Sequence, residues 1–224
     1  MGQDITLTAA DKFELGAYRT TPAGAPKGAV VVIQEIFGVN HHIRTVCDRF
    51  AGEGYVAVAP AIFDRVERNF TSGYSAEEIA VARKFVANPD WAAFMLDTQA
   101  AIDAVKDVGP VGIIGFCLGG SIAYAAATKL SGLKAAIGYY GGAIVKLADE
   151  TPRVPTQLHF GAADHGIPLS DVEIIRAKRP DVEIFVYDGA QHGFSCNERP
   201  SYDKPSAELA RQRSLAFLAK HMVK

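Results

Sequence analysis

The run VGIIGFCLGGSIAYAAA, Val111 to Ala127, decides the fold. It reads as an apolar strand (Val111–Phe116), a glycine-framed corner (Gly115-Phe116-Cys117-Leu118-Gly119) and a helix of small residues. A strand that turns straight into a helix holds its central residue in a constrained backbone and displays that side chain above the sheet. The flanking glycines let strand and helix pass without a Cβ clash. Cys117 then stands at the positive end of a helix, where oriented amides favour an anion such as a thiolate. A plain helix-packing corner is the alternative, and what surrounds the run decides between them.

Outward from this run, short apolar stretches alternate with helical patterns. Ala29–Glu35, Tyr55–Pro60, Lys134–Tyr140, Thr156–Gly161 and Val182–Asp188 are near-continuously apolar, as strands buried on both faces are. Ile5–Thr8 and Phe13–Thr20 alternate as an N-terminal hairpin. Ile43, Val46, Cys47 and Phe50 make one helix face. Ile79, Ala82 and Val86 repeat that spacing with Arg83 intruding, Asp90 caps a third helix, and the last helix begins near Asp203 with Leu215, Leu218 and Met222 on one side. The expectation is one α/β domain over 1–224, a mostly parallel sheet with helices on both faces. Ligand sites in such sheets collect at the carboxyl ends of the strands.

Composition sets limits on partners. Apolar residues are 49% and charged residues 21%, and 23 Lys plus Arg against 25 Asp plus Glu give a net charge of −2. No basic block or aromatic-studded basic face points to nucleic acid. The start MGQDITLT has no secretory pattern, no stretch is long enough to span a bilayer, and no obligate protein partner is evident. MGQDIT also fits the myristoylation pattern, but alternation from Ile5 reads as a strand. Three cysteines, Cys47, Cys117 and Cys196, suit free thiols in a reducing compartment, so a cytoplasmic protein is expected.

A cysteine nucleophile needs a base and an orienting acid, in the order nucleophile, acid, histidine for this architecture. Asp164 and His192 each follow a predicted strand end in that order; Asp149 and Asp171 rival Asp164. His159 lies inside a strand pattern, His165 precedes a helix, and His221 is in the last one. The pair His41–His42 has no Cys, Asp or third His at ligand spacing, so no metal is expected. Glu35 ends an apolar strand. It is either solvated at the rim or faces the corner, where a carboxylate would oppose thiolate formation.

Together, QEIFGVN, GFCLGG, IGYYGG, DHGIP and GAQHGF resemble the dienelactone hydrolase family, cysteine members of the α/β-hydrolase fold, over nearly the full length. The resemblance implies a Cys117–Asp164–His192 triad, Glu35 as the carboxylate that holds and releases the thiol, and an oxyanion hole from the Ile36 and Leu118 amides. It also implies a pocket lined by Tyr140, and no cofactor. Family arginines read a substrate carboxylate, one of them four residues after the histidine; that position here is Cys196, with Arg199 and Arg83 as substitutes. The implied reaction is hydrolysis of enol lactones or small activated esters through a thioacyl intermediate. A redox protein pairing Cys117 with Cys196 is the alternative.

Overall fold

The computed structural model describes residues 2–222; Met1, Val223 and Lys224, included in the expected 1–224 domain, lie outside them. Eight strands form a single sheet in the order β1-β2-β4-β3-β5-β6-β7-β8. β1 (Gln3–Thr8) and β2 (Glu14–Thr20) form the expected hairpin, and β2 pairs antiparallel with β4 (Val56–Pro60). From there β3 (Ala29–Ile33), β5 (Val111–Phe116), β6 (Leu133–Tyr139), β7 (Thr156–Gly161) and β8 (Glu183–Tyr187) are all parallel.

Both faces of the central strands are buried, which is why they read as unbroken apolar runs. Val30 and Val32 join a core with Ile43, Val46, Cys47 and Phe50 of α1 (His41–Gly52) and with Phe217 and Leu218 of α7 (Lys204–His221). The alternate residues Ala29, Val31 and Ile33 join a second core. It contains Phe94, Ala101 and Ile102 of α3 (Trp91–Asp103) and Ile122 and Ala123 of α4 (Leu118–Lys129). Asp90 accepts the Ala93 N–H and Asp203 the Ser206 N–H, so both expected caps form. The short α5 (Ile144–Leu147) and α6 (Leu169–Lys178) complete the layers; α6 starts after Pro168, and Asp171 lies in its first turn without capping it.

One helix departs from its pattern. α2 (Ala76–Lys84), started by a Ser75–Glu78 capping box, buries only Ala82; it ends before Val86 and leaves Val81 exposed. Phe85, just past its end, turns inward against Phe63 and Phe70 with ring centroids 5.1 and 4.0 Å away. The aromatic cluster, rather than an apolar helical stripe, anchors this segment.

Strand register brings the functional candidates to one level. Ile33 pairs with Gly115, Phe116 with Tyr139, Tyr139 with His159, and Gly161 with Tyr187. The loops leaving β3, β5, β6, β7 and β8 carry Glu35, Cys117, Tyr140, Asp164 and His192 in turn. The strand order reverses between β3 and β5, the place where ligands bind in open α/β sheets.

Candidate active site

Cys117 has φ 56° and ψ −115°, a backbone conformation rare for any residue with a Cβ. Such strain costs about 1–3 kcal/mol and is held only by its surroundings. The surroundings are backbone. A Cβ on Gly115 would lie 1.8 Å from the Gly119 carbonyl oxygen, and one on Gly119 would lie 2.4 Å from that of Ile33. The Gly119 N–H donates to the Gln34 carbonyl at 3.1 Å and the Cys117 N–H to Tyr139 at 3.0 Å, locking the corner between β3 and β6.

Cys117 is partly exposed, and so are Ile36, Leu118 and His192 at the same sheet ends. Leu118 opens α4, where N–H groups have no intrahelical acceptor. Among the described residues neither the Ile36 nor the Leu118 N–H donates to a loop carbonyl or a side chain.

His192 Nδ1 lies 2.7 Å from Oδ2 of the buried Asp164, whose other oxygen accepts the Gly166 N–H at 2.8 Å. Burial opposes charge on the imidazole. The neighbouring Cys117 sulfur and the hydrogen bond with Asp164 outweigh it and lift the His192 pKa to about 10. Asp164 is the acid at the histidine; Asp149 instead pairs with Lys178 at 2.8 Å, and Asp171 lies in the first turn of α6.

Glu35 is 1% exposed, two residues past the end of β3. Burial raises its pKa more than the neighbouring Arg199 and His192 lower it. Its Oε1 pairs with Arg199 Nη1 at 3.0 Å, while its Oε2 has no partner. The expected hold of Glu35 on the thiol is therefore not made in this conformation, because a guanidinium competes better for a carboxylate than a neutral thiol does. Arg199 lies over the Phe37 and Tyr74 rings at 5.6 and 5.8 Å. Gly193, at φ 78°, makes room for it: a Cβ there would lie 2.4 Å from Arg199 Nη1.

The remaining candidates separate. Tyr140 is fully buried, with its ring 5.0 Å from that of His192 and its hydroxyl 2.8 Å from Ser195 Oγ. It backs the histidine and offers a ligand no surface, contrary to the pocket-lining expectation. Arg83 is exposed on α2 and makes no hydrogen bond or ion pair with these groups. His159 is a buried structural residue, hydrogen-bonded to Tyr187 and Gln157. Spacing along the chain misses two neighbours of Glu35: His42 and Cys196, both buried, brought together only by folding. Tyr74 is missed as well; its hydroxyl meets Cys196 Sγ at 3.3 Å and Asn40 Nδ2 at 3.0 Å. His41 points away, 2.6 Å from Glu198.

Comparison with known proteins gives this geometry its relatives. The model of the dienelactone hydrolase family matches residues 15–222. A carboxymethylenebutenolidase of Pseudomonas putida is 31% identical over 97% of this chain and 96% of its own. A Synechocystis sp. protein, provisionally given the same name, is 40% identical over 90% of this chain and 89% of its own. The crystal structure of a Klebsiella pneumoniae protein, provisionally described as a dienelactone hydrolase, superposes with a TM-score of 0.82 at 30% identity, covering 98% of this chain and 99% of that one. The chain belongs to the dienelactone hydrolase family and is a hydrolase of the α/β-hydrolase fold.

Proposed function

We propose that this hydrolase opens enol lactones and small activated esters through a Cys117–His192–Asp164 triad. The single observation that carries the reading is the strained Cys117 at the head of α4, beside a histidine that Asp164 holds at 2.7 Å. His192, oriented by Asp164, keeps the Cys117 proton. The thiolate attacks the substrate carbonyl carbon, and the oxyanion is met by the Ile36 and Leu118 N–H groups. A donor of this kind contributes about 3–4 kcal/mol. The adduct collapses to a thioester, and the departing oxygen takes the proton from His192. Water, activated by His192, then attacks the thioester; Cys117 leaves as thiolate and the product carries the new carboxyl group.

Thiolate is itself a good leaving group, so the tetrahedral adduct goes forward only when the substrate oxygen leaves readily, as an enolate or an aryloxide does. This is why a lactone of an enol suits the site and an amide does not. The Pseudomonas putida relative is named for such a lactone, which supports the same class here. Glu35 is assigned the gate: on the thiol it keeps the site idle, and on Arg199 it leaves the thiolate free. Arg199 is thereby a positioning residue for Glu35, with its guanidinium engaged on that carboxylate. The thiol-redox alternative has less support, since Cys196 is buried and its sulfur engages Tyr74. Free thiols fit a cytoplasmic enzyme; among the described residues no helix is long and apolar enough to cross a membrane.

The test is hydrolysis of a panel containing a dienelactone, simpler enol lactones and aryl esters, with Cys117→Ala alongside. The variant is expected to lose at least about a thousandfold in kcat/KM. A wild-type protein that turns over none of the panel, or a variant as active as wild type, ends this reading.

A further inference from the structure

Glu35, His42 and Cys196 come from the loop after β3, from α1 and from the loop after His192, yet their ligand atoms all lie within 4.8 Å of one another. All three residues are buried, and no other cluster of His, Cys, Asp and Glu with this geometry occurs among the described residues. Two of the three carry atoms left without a partner. Oε2 of Glu35 and both ring nitrogens of His42 are buried without a hydrogen-bond partner. Buried polar atoms are nearly always paired, and unpaired ones call for an ion or a water. His42 is buried with both ring nitrogens open, so its neutral ring presents a lone pair. The third donor, Cys196 Sγ, donates to the Tyr74 hydroxyl at 3.3 Å, a weak thiol hydrogen bond that a metal–sulfur bond would replace.

We propose that Glu35 Oε2, a His42 ring nitrogen and Cys196 Sγ form a binding site for a divalent transition-metal ion of the zinc type, beside Cys117 and not including it. One carboxylate oxygen, one imidazole nitrogen and one thiolate are the mixed donors that zinc accepts, whereas calcium and magnesium take oxygen shells. Bonds of about 2.0–2.3 Å hold the ligand atoms of one ion within roughly 4 Å of each other, so the cluster has little contraction to make. On binding, metal–oxygen, metal–nitrogen and metal–sulfur bonds form, the Cys196 S–H bond breaks, and its proton passes to solvent. The thiolate and the carboxylate offset the ion's two charges. Arg199 keeps Oε1, and a fourth position is left to water. A cavity of about 100 Å³ between α1 and α7 borders one of the three ligands, His42. Occupancy ties down Glu35 and so interferes with the gate; that consequence rests on the function proposed above, while the site itself does not.

The experiment uses full-length Cys117→Ala, because a Cys117–His192 pair is itself able to take up zinc. Titration with Co²⁺ is expected to show one equivalent bound, with thiolate-to-cobalt charge-transfer absorption, displaced by Zn²⁺. Adding Cys196→Ser should abolish that absorption and weaken Zn²⁺ binding by more than about tenfold; adding His42→Gln should weaken it similarly and retain the absorption. Absence of stoichiometric binding, or binding indifferent to both added changes, overturns the site. If a double variant does not fold, anomalous scattering from Cys117→Ala crystals grown with Zn²⁺ decides. A peak between the three atoms supports the site, and water there, or a peak elsewhere, overturns it. An inactive wild type with intact metal binding would sink the hydrolytic reading alone.

Discussion

Two buried arginine–carboxylate pairs in this molecule obey the same chemistry and end differently. Arg65 lays its fork on Asp97, with contacts of 2.7, 2.9 and 3.1 Å, reaches Asp11 at 2.7 and 3.1 Å, and covers the Phe13 ring at 4.3 Å. Every oxygen of Asp97 and Asp11 that faces it is used, and the network ties the β1–β2 hairpin turn to α3. Arg199 makes a single bond to Glu35 and leaves one buried oxygen alone. The histidines repeat the contrast. His159 is bonded through both nitrogens, at 2.8 Å to Tyr187 and 2.9 Å to Gln157, whereas His42 is bonded through neither. A saturated polar network is a clamp with one arrangement; an unsaturated one costs stability and keeps alternatives open.

The contrast is broken first at the clamp. Asp97→Ala removes the buried one of the two carboxylates that Arg65 holds, leaving Asp11, and is expected to cost about 2–3 kcal/mol in urea denaturation. A loss below about 1 kcal/mol would show the network to be idle. His159 gives the next effect. Burial lowers its pKa to about 3, so below pH 6.5 the unfolded chain binds a proton that the native state refuses. Stability therefore falls as pH drops from 6.5 towards 3, by up to about 1.4 kcal/mol per pH unit from this residue. His159→Gln should flatten the slope of stability against pH between 6 and 4, and an unchanged slope would assign the acid sensitivity elsewhere. The smallest stability change is expected at the unsaturated pair. Glu35→Gln keeps an acceptor for Arg199 and removes the charge, so the denaturation midpoint should move by the equivalent of less than about 1 kcal/mol. Without the carboxylate the resting thiol loses its restraint, so alkylation of Cys117 should speed up by about tenfold or more, and the reverse pattern, large in stability and silent in thiol reactivity, would make Glu35 a second clamp.

What was legible in the chain follows the range of the interactions. The central strands, the hairpin, the Asp90 and Asp203 caps and the corner at Cys117 are written in residues a few positions apart, and all stand in the fold with ends moved by a residue or two. The order Cys117, Asp164, His192 was readable because parallel strands in register deliver successive loops to one edge. Glu35 was visible as an acid closing an apolar run, but its engagement with Arg199, 164 positions away, was not. The cluster of Glu35, His42 and Cys196 was hidden for the same reason: each drew notice separately, and only the packing of α1 and the loop after β8 unites them. The apolar stripe of α2 misled because three spaced residues imply burial only if a partner surface exists, and there Phe85 takes that place.

The bend at Cys117 is made by Gly115, Gly119 and the carbonyls they press against, and no part of it depends on sulfur. The holder and the tool are thus separate inventions. A serine fits the same frame with the same backbone, so under the proposed mechanism one atom would set which leaving groups the chain can expel while the rest of the scaffold is indifferent to the choice. Chemistry in such a protein changes at a single position, without the fold having to be found again.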